Sequence, residues 1–273
     1  MNRTALITGS SSGIGLELAR IHAEKGDNLV LVARSKNKLD ELKKELENKY
    51  NIQVYIIGKD LSLPDSANEV YDELKKQNIS VDYLINNAGF GDFGFFAECD
   101  WNKQEKMINL NVTALAHFTR LFLPDMIKRE YGKILNLAST ASFQPGPAMS
   151  VYFATKAFVL SFSEAVNNEV REKGVTVTAL CPGSTESGFH AVTMGDSKLV
   201  KERRLPTSRQ VAEFGYRAMI KGKAVAIHGV MNSIMAASVR FIPRSLVVKI
   251  AGMIQRKKHL TSALCPHNGI LFN

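Results

Sequence analysis

The feature that most constrains the fold is an alternation. Short, β-branched apolar runs recur along the chain, separated by longer stretches of helical pattern. The runs are Thr4–Thr8, Leu29–Ala33, Val54–Ile57, Tyr83–Asn86, Lys133–Leu137, Val175–Leu180 and Ala224–His228. Each has the length and near-continuous hydrophobicity of a parallel strand buried on both faces. Between them the pattern predicts helices over Gly13–Lys25, Asn37–Lys49, Asp65–Gln77, Trp101–Arg129, Met149–Lys173 and Ser208–Lys221. Gly174 reads as a C-cap, and Pro124 predicts a kink or break inside the fourth helix. This βαβα order specifies an α/β fold: a single doubly wound parallel sheet of about seven strands with helices on both faces. Residues 1–229 make that unit, and 230–273 form a C-terminal extension.

Charge divides the chain differently. The net is +9 over 273 residues, but residues 1–197 sum to −3 and residues 198–273 to +12. The basicity is therefore local. No base-stacking aromatic pattern accompanies it, which argues against nucleic acid as a partner. Three cysteines without paired spacing exclude a disulfide scaffold and point to a reducing compartment. The apolar run in MNRTALITGS is too short for a signal-peptide core. The longest uncharged windows, Ile134–Thr155 and Ala224–Val239, carry too many polar residues and prolines for a membrane span.

Chemistry-bearing residues gather where strands end. Thr8-Gly9-Ser10-Ser11-Ser12-Gly13-Ile14-Gly15 joins the first strand to the first helix. Glycines there permit a tight turn, and the helix N-terminus offers free N–H groups and a positive dipole end to a pyrophosphate. The plain alternative is an ordinary strand–turn–helix connection. The second strand ends in Ala33-Arg34, where an Asp or Glu would hold the ribose 2′-hydroxyl of NAD(H). A guanidinium instead pairs with a 2′-phosphate, so NADP(H) is preferred over NAD(H). Alternatively, Arg34 merely starts a solvated helix. Asp60 suits an adenine amino group or a simple turn.

Tyr152 and Lys156 share a helix face at i and i+4. A tyrosine of ordinary pKa, roughly 10, is a poor acid/base at neutral pH; a nearby ammonium would stabilise its phenolate. Alone, this pair is as readily a surface contact. Ser139 precedes Tyr152 by thirteen positions, where its hydroxyl can orient the same substrate oxygen. Asn86-Asn87-Ala88-Gly89 follows the fourth strand, and Pro182-Gly183 the sixth. Asn111 lies on the long helix, where its amide could hold a water linking Lys156 to solvent.

TGSSSGIG, NNAG, Ser139, YFATK and PG, in this order, resemble the short-chain dehydrogenase/reductase family over residues 3–229. The resemblance implies a Rossmann-type fold, hydride transfer with NAD(P), and a homo-oligomeric enzyme without a catalytic metal; the reducing compartment makes it cytoplasmic, or peripheral to a membrane if the extension binds one. It makes Asn111, Ser139, Tyr152 and Lys156 the catalytic set, with Lys156 also on the nicotinamide ribose. It makes Gly9, Ser11, Gly13, Ile14, Arg34, Asp60, Leu61, Asn87, Ala88, Gly89, Tyr152, Pro182, Gly183 and Thr185 cofactor contacts. His190, His259 and Cys265-Pro266-His267 form no recognisable metal-ligand set. The chain departs from the family by continuing through Met231–Asn273, where many members end in a short glycine-rich stretch. A non-catalytic dinucleotide sensor and a membrane-associated scaffold are the other function classes the pattern admits.

Phe90, Phe93, Phe143, Met149 and Phe189 suggest an apolar substrate pocket; several could equally be core or dimer contacts. A 3-oxoacyl group, also as a thioester, a steroid-like or an aromatic ketone/alcohol would fit. In the extension, apolar helical stretches flanked by Arg and Lys over 231–258 read as membrane-surface contacts. They could also pack on the core or on a second subunit. Lys198, Lys201, Arg203 and Arg204 could instead meet an acidic carrier.

Overall fold

The computed structural model describes residues 2–186 and 205–263, with side chains described as far as Gln255. Phe189, His190, Lys198, Lys201, Arg203 and Arg204 lie outside the described residues, as do the side chains of His259, Cys265 and His267.

Seven strands form one parallel sheet: β1 (Thr4–Thr8), β2 (Asn28–Ala33), β3 (Val54–Gly58), β4 (Tyr83–Asn86), β5 (Gly132–Leu137), β6 (Val175–Cys181) and β7 (Val225–Ile227). Their order is β3-β2-β1-β4-β5-β6-β7. The order reverses between β1 and β4, and in open α/β sheets that crevice is where ligands bind. The helices are α1 (Gly13–Glu24), α2 (Lys36–Lys49), α3 (Ser66–Lys76), α4 (Trp101–Ile108), α5 (Leu115–Lys128), α6 (Ser150–Val170), α7 (Ser208–Ile220), α8 (Val230–Ser238) and α9 (Arg244–Ala263).

Strand side chains alternate between two cores, as a period of two demands. Ala5, Ile7, Leu29 and Leu31 meet Leu18 of α1, Leu39 of α2 and Val211 of α7 on one face. Leu6, Val30, Val32 and Leu84 meet Val70 of α3, Phe118 of α5 and Val166 of α6 on the other. Both faces of the central strands are thus dry, which is why those strands read as unbroken apolar runs. Part of the C-terminal basicity is used here. Arg209 of α7 pairs with Glu24 of α1 at 2.6 Å and with Glu213 at 2.8 Å, tying two helices of one layer together.

The long fourth helix departs from expectation. It does not break at Pro124, which sits inside α5. A proline leaves the carbonyl four residues back without its helical donor; that residue is Arg120, exposed to solvent that can satisfy it. The irregularity falls earlier, where Asn109–Ala114 widens into a π-helical turn. Such turns are frequent at functional sites, and this one contains Asn111.

The extension folds as α8 and α9. Ala236, Val247 and Gln255 are buried, so one narrow stripe packs inward. The rest of the apolar surface points out: Phe241 is 86% exposed and Val230 79%, with Met231, Ile234, Met253 and Ile254 also exposed. Among the described residues, no helix is long and apolar enough to cross a membrane.

Candidate active site

One cleft, of about 580 Å³, runs along the carboxyl ends of β1, β4, β5 and β6. At one end the glycine turn forms its floor. Gly9 has φ +68, and a Cβ there would stand 2.8 Å from Asn87 Nδ2 and 2.9 Å from Ala88 Cα. Only glycine allows both the left-handed backbone and that approach. The Asn87 amide donates to the carbonyls of Thr8 (2.9 Å) and Gly9 (3.1 Å), and Thr8 Oγ1 accepts from the N–H groups of Asn87 and Ala88 at 3.0 Å. The β4 loop is thereby clamped to the β1 turn. Ser12 precedes α1 without capping it, and Gly13 and Ile14 line the cleft. Among the described residues, no side chain caps the first N–H groups of α1. This is a helix terminus fitted for an anion, so the residues present fit a dinucleotide pyrophosphate.

Arg34 also lines the cleft, exposed and without an ion pair among the described residues. Asp60 stands nearby. Burial pushes its carboxyl up, but hydrogen bonds from the Ser62 N–H (3.0 Å) and hydroxyl (2.7 Å), with the charges of Arg34 and Lys106, bring it below its ordinary value. Neither Asp60 nor Leu61 lines the cleft, and Leu61 is buried in the core beside Val32. Ser11 is likewise absent from the lining.

Ser139, Tyr152 and Lys156 meet in the middle of the cleft. Ser139 starts a short 3₁₀ turn, Thr140–Phe143, and its Oγ accepts from the Ala141 N–H at 3.1 Å. The hydroxyl proton is left to donate toward Tyr152. That contact pulls the Tyr152 pKa down, but burial dominates and pushes it up to about 12. Lys156 Nζ donates to the Leu137 carbonyl at 2.6 Å and lies 5.9 Å from the centre of the Tyr152 ring. Burial lowers its pKa to about 8. The expected lowering of Tyr152 by Lys156 is therefore not the governing effect in the protein by itself. Desolvation is, and it leaves a neutral phenol suited to giving up a proton to an alkoxide.

Asn111 is 1% exposed and does not touch the cleft. Its amide donates to the Phe90 carbonyl (2.9 Å) and Thr155 Oγ1 (3.1 Å), and its Oδ1 accepts from the Phe90 N–H (3.1 Å). Both N–H donors are engaged with protein groups, and Asn111 ties the π-turn to the β4 loop and to α6.

The substrate expectations divide. Phe90 and Met149 line the cleft. Phe93 packs behind it with Met107, Met149 and Tyr152. Phe143 does not line the described cleft and packs against the cluster that holds Val159 and Leu160 of α6. Gln144, Phe153, Ile254 and Gln255 line the cleft and went unread in the sequence. Phe153 sits inside YFATK and could have been found there; the two α9 residues carried no signal. Among the described residues, no cluster of three His, Cys, Asp or Glu could hold a metal.

The short chain dehydrogenase family matches residues 3–196. The chain belongs to that family. It is an NAD(P)-dependent oxidoreductase acting on a carbonyl/alcohol pair, which sets aside the non-catalytic sensor and scaffold readings. A very-long-chain 3-oxoacyl-CoA reductase of Rattus norvegicus is 33% identical, the match covering 87% of this chain and 76% of that protein. A short-chain dehydrogenase from Sphingobium yanoikuyae, solved in complex with NADPH, is 32% identical with a TM-score of 0.78, over 87% of this chain and 93% of that one. The bulky-bulky ketone specific alcohol dehydrogenase from Comamonas testosteroni is 30% identical with a TM-score of 0.75, over 87% and 92%.

Proposed function

We propose that this short-chain dehydrogenase reduces the 3-oxo group of a long-chain acyl thioester with NADPH. The observation that carries the reading is the cleft itself. The glycine turn closes one end, Ser139, Tyr152 and Lys156 hold the middle, and Phe90, Met149, Phe153 and Ile254 make an apolar wall. The rat relative bears the name of a 3-oxoacyl-CoA reductase, and the Comamonas testosteroni relative that of a bulky-ketone enzyme. Bound NADPH supplies the hydride. Gly9, Gly13, Ile14, Ala88, Gly89, Pro182, Gly183 and Thr185 hold it; Asn87 fixes the loop beneath. Ser139 donates to the substrate oxygen and orients it. Tyr152 protonates that oxygen as charge develops on it. Lys156 keeps a positive charge beside both. Asn111 acts by positioning Phe90 and α6.

Arg34 selects NADPH. It follows a strand that ends without a carboxylate, and its guanidinium has no competing ion pair among the described residues. A 2′-phosphate is the partner such a group takes bidentately. The test of the substrate reading is NADPH oxidation across 3-oxoacyl-CoA of rising chain length, steroid ketones and aromatic ketones. The long-chain thioesters should give the highest kcat/KM; a steroid or aromatic ketone ranking above them overturns the reading.

The extension, 230–263, belongs to the catalytic unit and seats it on a membrane surface. Its exposed Phe241, Val230, Met231 and Met253 lie among the exposed cations Arg240, Arg244 and Lys249. Apolar side chains between cations suit an anionic bilayer interface, where a long-chain acyl substrate also partitions.

A further inference from the structure

The extension lies outside the segment matched by the family, residues 3–196, yet its first helix bears on the cleft. Gly183 lines the cleft in the turn that follows β6. The place of its missing side chain is taken. A Cβ on Gly183 would stand 2.6 Å from Nδ2 and 3.1 Å from both Cγ and Oδ1 of Asn232 in α8. The whole amide group of Asn232 therefore packs on the Gly183 backbone. Asn232 is half-buried and does not line the cleft, so it backs the turn from outside.

The amide is itself fixed. Its Nδ2 donates to the His228 carbonyl at 2.7 Å, one helical turn back. A Cβ on Gly229, which has φ +94, would stand 3.3 Å from the same nitrogen. His228 follows β7, and its N–H donates to the Cys181 carbonyl at the end of β6 (3.2 Å). One side chain thus bridges the exits of two neighbouring strands. The turn it backs is also held to the catalytic residues. The N–H of Thr140, next to Ser139, donates to the Pro182 carbonyl at 2.9 Å, and the Thr185 hydroxyl donates to the Gly183 carbonyl at 3.0 Å.

We propose that Asn232 is a positioning residue for hydride transfer: its amide backs the Pro182–Gly183 turn and so sets how the cofactor's reacting ring lies in the cleft. This role rests on the reading that the turn holds the cofactor, and is independent of which ketone is reduced. Hydride transfer needs donor and acceptor carbons in a near-attack geometry, and a displacement of about 1 Å costs rate steeply. The glycine turn after β1 and Arg34 grip the cofactor elsewhere, so Asn232 governs rate and not affinity.

The test is a double-mutant cycle on the full-length enzyme between Asn232→Ala and Gly183→Ala. The substrate is the carbonyl compound of the panel above that the wild type reduces fastest. Asn232→Ala should lower the single-turnover rate constant about tenfold, with its amplitude and the NADPH affinity by fluorescence titration unchanged. Gly183→Ala should slow the same step, because its methyl meets Asn232. In the Asn232→Ala background that methyl takes the vacated place and should restore part of the rate, so the two losses do not add. Additive losses, or an unchanged rate constant in Asn232→Ala, overturn the proposal. So does a loss confined to amplitude, which reports misfolded enzyme, or one confined to NADPH affinity, which reports binding. If Gly183→Ala alters neither rate constant nor affinity, the turn does not hold the cofactor, and the reading beneath the proposal falls with it.

Discussion

The two ends of the cleft are closed by different materials. The cofactor end is backbone: a left-handed glycine, an uncapped helix terminus, and a loop clamped through Asn87 and Thr8. The far end is side chain: Phe90, Met149, Phe153 and a helix from the extension. Backbone geometry admits few residue types, so the first end is written as a motif. An apolar wall admits many, so the second is not. The first end is fitted for a dinucleotide; the second is where this chain can differ.

The largest expected effect lies at the backbone end. Gly9→Val forces a β-branched residue into φ +68 and against Ala88. Strain of roughly 1–3 kcal/mol plus the clash should cost about 100-fold in NADPH affinity. Near-native titration would show that the turn is not the cofactor floor. Arg34→Asp should weaken NADPH by about tenfold or more, the worth of a charge-assisted hydrogen bond, while NADH binding holds. An unchanged ratio of the two would remove Arg34 from the phosphate site.

The middle of the cleft makes a pH prediction. Burial sets Lys156 at about 8 and Tyr152 at about 12. Reduction needs Lys156 charged and Tyr152 protonated. Thus kcat/KM for ketone reduction should be level below pH 8 and fall as pH rises through it, with at most about tenfold per unit. Stability should not follow. The folded Lys156 value lies below the ordinary 10.5, so the folded state holds fewer protons between those values. Its burial cost is present below pH 8 and relieved toward 10.5, a contribution that rises with pH. Parallel loss of activity and of folded protein above pH 8 would contradict the assignment.

The smallest effect on stability belongs to the extension. Phe241→Ser should leave unfolding within about 0.5 kcal/mol, as exposed positions do, yet reduce sedimentation with anionic vesicles. Equal sedimentation would argue that another surface, such as a second copy, covers α8 and α9.

Much of this was legible in the sequence, and what was not has physical reasons. The seven strands agree with their apolar runs to within a residue at each end, because strands dry on both faces leave unbroken runs. The π-turn at Asn109–Ala114 carries no periodicity signal of its own, and Pro124 drew attention to the wrong turn. Phe143 shows the limit for aromatics: its place beside the Ser139–Tyr152 connection suggests a pocket residue, yet its ring packs with the cluster around Val159 and Leu160. The buried network from Asn86 to Asn136 (2.9 Å) and on to Ser163 (2.9 Å) joins residues far apart in the chain, and spacing alone could not reveal it. The same holds for Gln255, one polar residue in a basic tail.

The central claim is that Tyr152 gives the proton in a site that otherwise binds NADPH without it. Tyr152→Phe tests it directly, with NADPH affinity and single-turnover ketone reduction measured on the same preparation. NADPH should bind as in the wild type, and reduction should fall by roughly 10²–10⁴-fold. Turnover within a few-fold of wild type, with cofactor bound, would contradict the account.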